Sequence, residues 1–297
     1  MGSSLTFKVA GAQPAAAATA WARVAAEMGA ADVALSRFRA DSPLSQLNAV
    51  AGTGQWRFAE PRLRRLLALA HRAQRATRGL FDARTLEVLE ELGERAGVSF
   101  ARAASPPAFG EGGWLRRDGR SRVAVSSPID SGGLGKGLGL RWALAAARRA
   151  APNAAGLLIE AGGDIVAHGA LASGAPWHIG IEDPADPAQL LAVVALSSGA
   201  LATSSTSLRA WTTRSGMAAH HLIDPRTWLP AESGLLAVSV AHSDPAWAEI
   251  WSKALFVGGA GTIGHEARSR GLAVWWVEAD GRLHRTPAAA TSTTWQA

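Results

Sequence analysis

A glycine-rich loop, Asp130 to Gly137, places an acid, four glycines and a lysine directly before a predicted helix over residues 138–150. Glycines let backbone N–H groups approach a ligand closely, and the start of a helix carries a partial positive charge. The loop therefore predicts an anion site, with phosphate as the natural ligand. It is neither a P-loop nor a dinucleotide fingerprint, because Asp130 and Leu138 stand where those motifs require glycine. A glycine-rich connection that only reverses the chain fits the same pattern.

A second polar segment, His220 to Thr227, contains the pair Asp224-Pro225. An Asp-Pro pair fixes a tight turn, so His221 before it and Arg226 after it can face one small volume. Histidine exchanges protons near neutral pH, and arginine contacts phosphate through two parallel hydrogen bonds. The alternative is a turn capped by Asp224 with incidental surface histidines.

Composition restricts the class of protein. A chain of 297 residues that is 48% hydrophobic and 18% charged is expected to be globular, as one domain over residues 1–297 or as two closely packed lobes. The net charge is +6, but the arginines are dispersed and no basic run is interleaved with aromatics, so we expect no nucleic-acid partner. An anionic small molecule suits this charge better.

The absence of cysteine from the sequence excludes disulfides, thiolate metal sites and a lipidated N-terminal cysteine. No window has the pattern of a signal peptide or the length of a membrane span, so no integral membrane segment is expected. As given, the chain is expected to be cytoplasmic; it would be extracytoplasmic if its N-terminus had been trimmed.

Hydrophobic periodicity predicts helices early in the chain, over residues 15–29 and 61–77, and strands later. The predicted strands cover residues 156–159, 165–167, 177–181, 191–196, 236–241 and 272–277. Prolines and glycines over residues 101–119 predict a long loop or insertion. The expected fold class is mixed α+β, with a largely antiparallel sheet and packed helices.

Taken together and in order, these segments resemble the FAD:protein FMN transferases, the ApbE-like flavin transferases. The resemblance covers nearly the whole chain and rests on eight segments: Met1–Ser3, Ser36–Asn48, Gly79–Asp82, Asp130–Gly137, Gly162–Asp164, Trp177–Pro184, Ala202–Ser204 and His221–Thr227. No single segment is specific, but their shared order is.

The resemblance implies an ApbE-like, T-fold-related fold and a defined reaction. Members of this family use FAD as donor, join FMN through a phosphoester to a Thr or Ser hydroxyl of an acceptor protein, release AMP and need a divalent cation, usually Mg²⁺. The matched positions imply His221 as the base, with Asp224 beside it in the catalytic set. They further imply FAD-binding roles and metal-ligand roles. The implied FAD-binding residues are Phe38, Asp82, Gly133, Lys136, Gly163, Asp164 and Arg226; the implied metal ligands are the Gly135 carbonyl and Glu249.

One departure from the family pattern affects the metal. Where the family reads Ala-Asp-Ala-x-x-Thr-Ala, with Asp and Thr oxygens as ligands, this chain has Glu249 and Lys253. An ammonium group has only donors and repels Mg²⁺. Three interpretations stay open: an ordinary i,i+4 pair of Glu249 with Lys253, a Lys253 ammonium in the cation position, or a metal bound by Glu249 while Lys253 points away.

This departure leaves two alternatives to transferase activity. One is a relative that binds FAD without transferring it, as a flavin-binding module, and the other hydrolyses FAD to FMN and AMP. The family's acceptor-type segment is not found in this sequence, so the acceptor is expected to be another protein.

Overall fold

The computed structural model describes residues 4–93, 113–119, 121–207, 209–213, 216 and 218–297. The Met1–Ser3 segment and most of the predicted loop over residues 101–119 lie outside this part of the chain. The helices are α1 (Pro14–Leu35), α2 (Pro43–Asn48), α3 (Pro61–Ala76), α4 (Leu86–Glu91), α5 (Gly135–Ala150), α6 (Pro245–Gly258), α7 (Ala260–Ser269) and α8 (Pro287–Ala290).

Seventeen strands occur in the described ranges. The first nine are β1 (Leu5–Ala10), β2 (Arg57–Phe58), β3 (Leu115–Asp118), β4 (Arg122–Val125), β5 (Gly156–Ala161), β6 (Asp164–Gly169), β7 (Trp177–Glu182), β8 (Leu190–Leu196) and β9 (Gly199–Ser205). The others are β10 (Ala210–Thr212), β11 (Ala218–His220), β12 (Ile223–Asp224), β13 (Leu229–Pro230), β14 (Leu235–His242), β15 (Ala273–Glu278), β16 (Leu283–Arg285) and β17 (Thr293–Gln296).

A seven-stranded sheet in the order β1-β5-β6-β9-β14-β15-β16 forms the centre of the fold, and each neighbouring pair is antiparallel. The strands β17-β8-β7 and β2-β4-β3 form two three-stranded sheets, while β10 pairs with β11 and β12 with β13. This arrangement confirms the predicted α+β class with a largely antiparallel sheet.

The central sheet is buried on both faces. Alternate residues of β5 point to opposite sides: Leu157 and Ile159 pack beneath α1 and α5, whereas Leu158 packs against the small sheet of β7 and β8. On β15, Trp276 joins the core beneath α6, while Trp275 joins the β7–β8 side. The helices therefore cover one face, and the β17-β8-β7 sheet covers the other.

Local sequence explains where several helices begin. Proline occupies the first helical position of α1, α2, α3, α6 and α8, where its missing N–H costs no hydrogen bond. Side chains of Ser42, Glu60 and Asp244 accept hydrogen bonds from the first backbone N–H groups of α2, α3 and α6. None of the helices in the described ranges is long and apolar enough to cross a membrane.

The predicted elements agree with the observed ones in type but less well at their ends. Helix α1 continues past the predicted end at residue 29 to Leu35, because Ala31, Ala34 and Leu35 are buried. Within residues 101–119, where a loop or insertion is predicted, the described residues 115–118 form β3, which pairs with β4. The two-residue strands were not predicted, because so short an element shows no hydrophobic periodicity.

Candidate functional site

The glycine-rich loop closes on itself at the first turn of α5. The Ser131 carbonyl accepts hydrogen bonds from the N–H groups of Leu134 at 3.2 Å and Gly135 at 2.8 Å. The Ser131 hydroxyl donates to the Leu35 carbonyl at 2.7 Å, which ties the loop to the end of α1. The loop is thus held by two helices, and the start of α5 has a defined position.

Helix α6 is fixed against this turn by its own N-terminus. The Asp244 side chain accepts from the N–H groups of Ala246 (2.9 Å) and Trp247 (3.3 Å), and it also pairs with Arg141 of α5 at 2.6 Å. A Cβ atom on Gly137 would lie 2.5 Å from the Ala246 Cα, so the two helices touch backbone to backbone. This contact brings the side chains of α6 to the start of α5.

Lys136 links two carboxylates at this point. Its ammonium forms an ion pair with Asp164, which follows the Gly162–Gly163 turn, and lies 3.6 Å from Glu249 Oε1. Glu249 Oε2 accepts a hydrogen bond of 2.8 Å from the Gly137 N–H and so caps α5 from α6.

Burial and neighbouring charges shift the pKa values of Lys136 and Glu249 in opposite directions. Burial lowers the pKa of Lys136, but the attraction of Asp164 and Glu249 outweighs it, and the pKa lies above its ordinary value. Burial raises the pKa of Glu249 to about 7, although Lys136 favours the ionised form. Lys136 is therefore a permanent cation here.

Lys253 lies one turn after Glu249 on α6, but its ammonium does not pair with that residue. No Lys253–Glu249 contact falls within the 4.0 Å of an ion pair. A Cβ atom on Gly133 would instead lie 2.7 Å from Lys253 Nζ and 2.9 Å from the Phe81 ring. Burial lowers the pKa of Lys253, while Asp130 and Glu249 oppose that shift. The ammonium is directed at the glycine-rich loop.

The first residue of the loop, Asp130, forms a buried ion pair that the sequence analysis did not assign to the site. Its Oδ1 lies 3.0 Å from Arg37 Nε, and the two side chains are only 6% and 3% exposed. The Arg37 guanidinium also stacks on Phe38 at 4.5 Å from the ring centroid. Phe38 itself is 51% exposed, so Arg37 packs on one face of the ring and the other face is open to a ligand.

His221 follows β11, and its backbone N–H donates to the Arg209 carbonyl at 3.2 Å. Its Nδ1 is buried and has no hydrogen-bond partner in the described part of the chain. Burial lowers the pKa of His221 well below 6.5, and the positive charges of Lys253 and Arg209 lower it further. The imidazole is therefore neutral at neutral pH, the form that can accept a proton.

Asp224 and Arg226 bind each other across the predicted turn. Asp224 Oδ1 accepts from the Arg226 backbone N–H at 2.8 Å, and its Oδ2 accepts from the guanidinium at 2.6 Å. The guanidinium also donates to the Val257 carbonyl of α6 at 3.2 Å. The pair thus anchors the turn to α6, one turn beyond Lys253, while the Arg226 side chain stays 59% exposed.

Asp82 lies in the core, away from solvent. Its carboxylate accepts hydrogen bonds from the Arg84 guanidinium at 2.6 Å and from Gln74 at 2.8 Å, and the Asp82–Arg84 pair is 1% exposed on both sides. Gln74 in turn accepts from the Trp114 indole at 2.9 Å. These contacts favour a structural function for Asp82 over direct contact with FAD.

The structure therefore brings together only part of the set implied by the resemblance. The residues around the start of α5 are Gly133, Gly135, Lys136, Asp164, Glu249 and Lys253, with His221 near Lys253. Gly163 is exposed in the adjoining turn, with open space around its Cα. Arg37 and Asp130 were not among the site residues predicted from the sequence. Their only signal in the sequence is that they lie within the Ser36–Asn48 and Asp130–Gly137 segments.

A cleft of about 430 Å³ opens elsewhere, at the other end of α5. Arg148, Arg149 and His168 are among the residues that line it. None of its lining residues belongs to the cluster at the start of α5.

Comparison with known proteins identifies the family. A model of the ApbE family matches residues 1–276. The FAD:protein FMN transferase of Salmonella typhimurium is 30% identical over 129 residues, which cover 43% of this chain and only 37% of that protein. The enzyme of the same name from Klebsiella pneumoniae is 26% identical over 298 residues, or 96% of this chain and 84% of that protein.

A solved structure extends the likeness to the fold. The apo form of Pseudomonas stutzeri flavinyl transferase ApbE superposes with a TM-score of 0.84 at 25% identity, over 100% of this chain and 95% of that one. Since the family model and this superposition both cover nearly the whole sequence, the chain belongs to the ApbE family.

Proposed function

We propose that this protein transfers FMN from FAD to a serine or threonine hydroxyl of an acceptor protein and releases AMP. The observation that carries the proposal is the placement of Lys136 and Lys253 around the glycine-rich loop, with a neutral His221 beside Lys253. The names of the aligned relatives support the same activity.

In this reaction the acceptor hydroxyl oxygen forms a bond to the phosphorus of the FMN half. The bond from that phosphorus to the bridging oxygen breaks, and AMP leaves with the electron pair. Because the transferring and leaving groups are both anionic, the site must align them and neutralise their charge. The lysines and the backbone at the start of α5 provide positive charge at this point.

His221 takes the proton from the attacking hydroxyl. A neutral imidazole is required for this step, and the burial that lowers the pKa of His221 maintains it. Asp224 acts on this step as a positioning residue, since its bonds to Arg226 hold the following turn against α6. Phe38, exposed and supported by Arg37, contacts the flavin ring.

The residues present do not fit the divalent cation that the family implies. The Gly135 carbonyl is an oxygen donor, and so is Glu249 Oε1, which is buried without a hydrogen bond among the described residues; but Lys253, an ammonium, stands where the family has its threonine ligand. No group of three or more His, Cys, Asp or Glu residues suited to a metal occurs within the described ranges. We therefore assign no step of the reaction to Mg²⁺.

The test is AMP release from FAD by purified protein, with and without a peptide that carries an acceptor threonine. Release that depends on the peptide, together with a peptide mass increased by an FMN phosphoester, supports transfer. Release without the peptide indicates FAD hydrolysis, and FAD binding without AMP indicates a binding module.

His221→Ala is expected to lower the rate of transfer by about 100-fold or more while FAD affinity is retained, because it removes only the base. His265→Ala is the matched control, since His265 is exposed on α7. Equal rates for His221→Ala and wild type would contradict the assigned base.

A further inference from the structure

Lys253 has a position that an ordinary surface lysine on a helix does not have. Its ammonium approaches the Cα of Gly133, where any larger residue would meet both Lys253 Nζ and the Phe81 ring. The side chain therefore reaches across from α6 to the glycine-rich loop instead of pairing along its own helix with Glu249.

The carboxylates nearest to this ammonium already have other partners. Glu249 Oε2 accepts a hydrogen bond from the Gly137 N–H, and Glu249 Oε1 lies 3.6 Å from Lys136 Nζ. Asp130 is paired with Arg37 in the core. Lys253 is thus directed at the loop without a carboxylate within ion-pair distance among the described residues.

The same carboxylate partners make this a poor place for a divalent cation. A magnesium ion prefers oxygen donors, and here Glu249 is shared with Lys136 while Lys253 supplies only N–H donors. The charge that a cation would bring to this loop is already present, attached covalently to α6.

We infer that the Lys253 ammonium supplies the counter-charge for the FAD diphosphate that a divalent cation would otherwise supply, so that this protein binds and uses FAD without a divalent metal. The inference rests on the proposed function, because that function identifies the diphosphate. As an ammonium, Lys253 donates hydrogen bonds to diphosphate oxygens, whose charge grows as the bond to AMP breaks.

The experiment measures FAD binding calorimetrically in EDTA and in excess MgCl₂. Four proteins are compared: wild type, Lys253→Met, Lys253→Thr and Lys8→Met. Lys253→Met keeps the length of the side chain and removes its charge, whereas Lys253→Thr places a hydroxyl where a metal ligand can act. Lys8→Met is the matched control, because Lys8 is exposed on β1. Thermal unfolding of each free protein identifies any variant that fails to fold.

Wild type and Lys8→Met are expected to bind FAD equally well in EDTA and in MgCl₂. Lys253→Met is expected to bind about tenfold more weakly or worse in both, since a hydrogen bond from a charged group is lost. Lys253→Thr is expected to be weak in EDTA and to recover in MgCl₂, where Glu249, the Gly135 carbonyl and the new hydroxyl offer oxygen donors.

Wild type that binds FAD only in MgCl₂, or a folded Lys253→Met that binds FAD as tightly as wild type, would overturn the inference. The transfer assay on the same samples separates this result from the proposed function. Metal-independent FAD binding without AMP release rejects the transferase and keeps the role of Lys253. If the wild type transfers FMN but binds FAD only with Mg²⁺, the transferase is supported and the role of Lys253 is rejected.

Discussion

At the scale of single residues, the aspartates at positions 82 and 224 form the same short local ion pair with the arginine two residues later. In both Asp82-Ala-Arg84 and Asp224-Pro-Arg226, the aspartate accepts from the arginine backbone N–H, at 2.9 Å and 2.8 Å. In both, the other carboxylate oxygen accepts from the guanidinium at 2.6 Å. The sequence pattern Asp-x-Arg thus forms a closed turn, and each aspartate uses its charge locally rather than on a ligand.

The Asp82–Arg84 pair lends itself to a stability test, because both side chains are 1% exposed. Asp82→Asn removes a buried ionic partner of the Arg84 guanidinium, and we expect the free energy of unfolding to fall by about 3 kcal/mol or more. The double variant Asp82→Asn/Arg84→Met is expected to be less destabilised than the single one. Urea unfolding measures both.

The surface pair Asp118–Arg122, which is 54% and 56% exposed, provides the control. Asp118→Asn is expected to change the free energy of unfolding by less than about 1 kcal/mol. FAD affinity in the folded double variant should equal that of wild type. A large loss of affinity there would show that Asp82 contacts FAD after all.

His221 gives a prediction on pH. Its imidazole should titrate below 6.5 in an NMR titration, because burial and the nearby charges of Lys253, Arg209 and His220 disfavour protonation. Since a neutral base is needed, transfer should persist below pH 6.5 and fail only as His221 becomes protonated. Lys253→Met removes one repelling charge, so the pKa of His221 should rise; an unchanged titration would contradict the proximity of the two side chains.

The sequence was informative about which residue types form the candidate site but not about their pairing. Lys136, Asp164, Glu249 and His221 were all identified from motifs, and the structure brings them to the start of α5 or next to Lys253. Their partners could not be predicted, because Lys136 and Glu249 are 113 positions apart in the sequence. Only the packing of α5 on α6 makes them neighbours.

At the scale of elements, the contact between α5 and α6 positions the site, and Gly137 makes it possible. Gly137→Ala would place a Cβ 2.5 Å from the Ala246 Cα and 2.6 Å from the Pro245 carbonyl oxygen. Backbone atoms cannot move aside as side chains do, so the free energy of unfolding should fall by about 2 kcal/mol or more.

Gly261→Ala is the matched control for Gly137→Ala. Gly261 lies in α7 with open space around its Cα, so alanine there should be neutral or stabilising by up to about 1 kcal/mol. Thermal unfolding compares the two variants. FAD affinity should fall only in Gly137→Ala, because a shift of α6 moves Lys253 away from the loop. Equal stability of the two variants would contradict a rigid helix contact.

The types of most long elements could be predicted, since hydrophobic periodicity is a local signal. The residues at which these elements begin and end could not be predicted. Helix α5 begins at Gly135, three residues before the predicted start, because the loop bonds to Ser131 and the cap from Glu249 support a first turn rich in glycine. Such support comes from tertiary contacts and overrides low helix propensity.

At the scale of the whole molecule, the central sheet separates the candidate site, on its helical face, from the hydrophobic core on the β7–β8 side. The face beneath α1, α5 and α6 carries the cores next to the candidate site, while the other face packs against β7 and β8. No residue assigned to the site belongs to the hydrophobic core on the β7–β8 side, as far as the structure describes the chain. Stability and FAD binding should therefore be separable on that side.

Removal of residues 293–297 tests this separation. The deletion takes away β17, leaves β8 without one neighbour, and removes the Thr293 hydroxyl that accepts from the Trp275 indole at 3.0 Å. Trp275 is fully buried, so its donor would be unsatisfied, and we expect a loss of about 2 kcal/mol or more in the free energy of unfolding. Trp295→Ala, at a side chain that is 49% exposed, should have a much smaller effect.

If the shortened protein is folded at low temperature, its FAD affinity should match that of wild type, because Lys136, Lys253 and the loop lie on the helical face. A clear loss of FAD affinity in the folded deletion would show instead that the small sheet holds the site in shape through the central sheet.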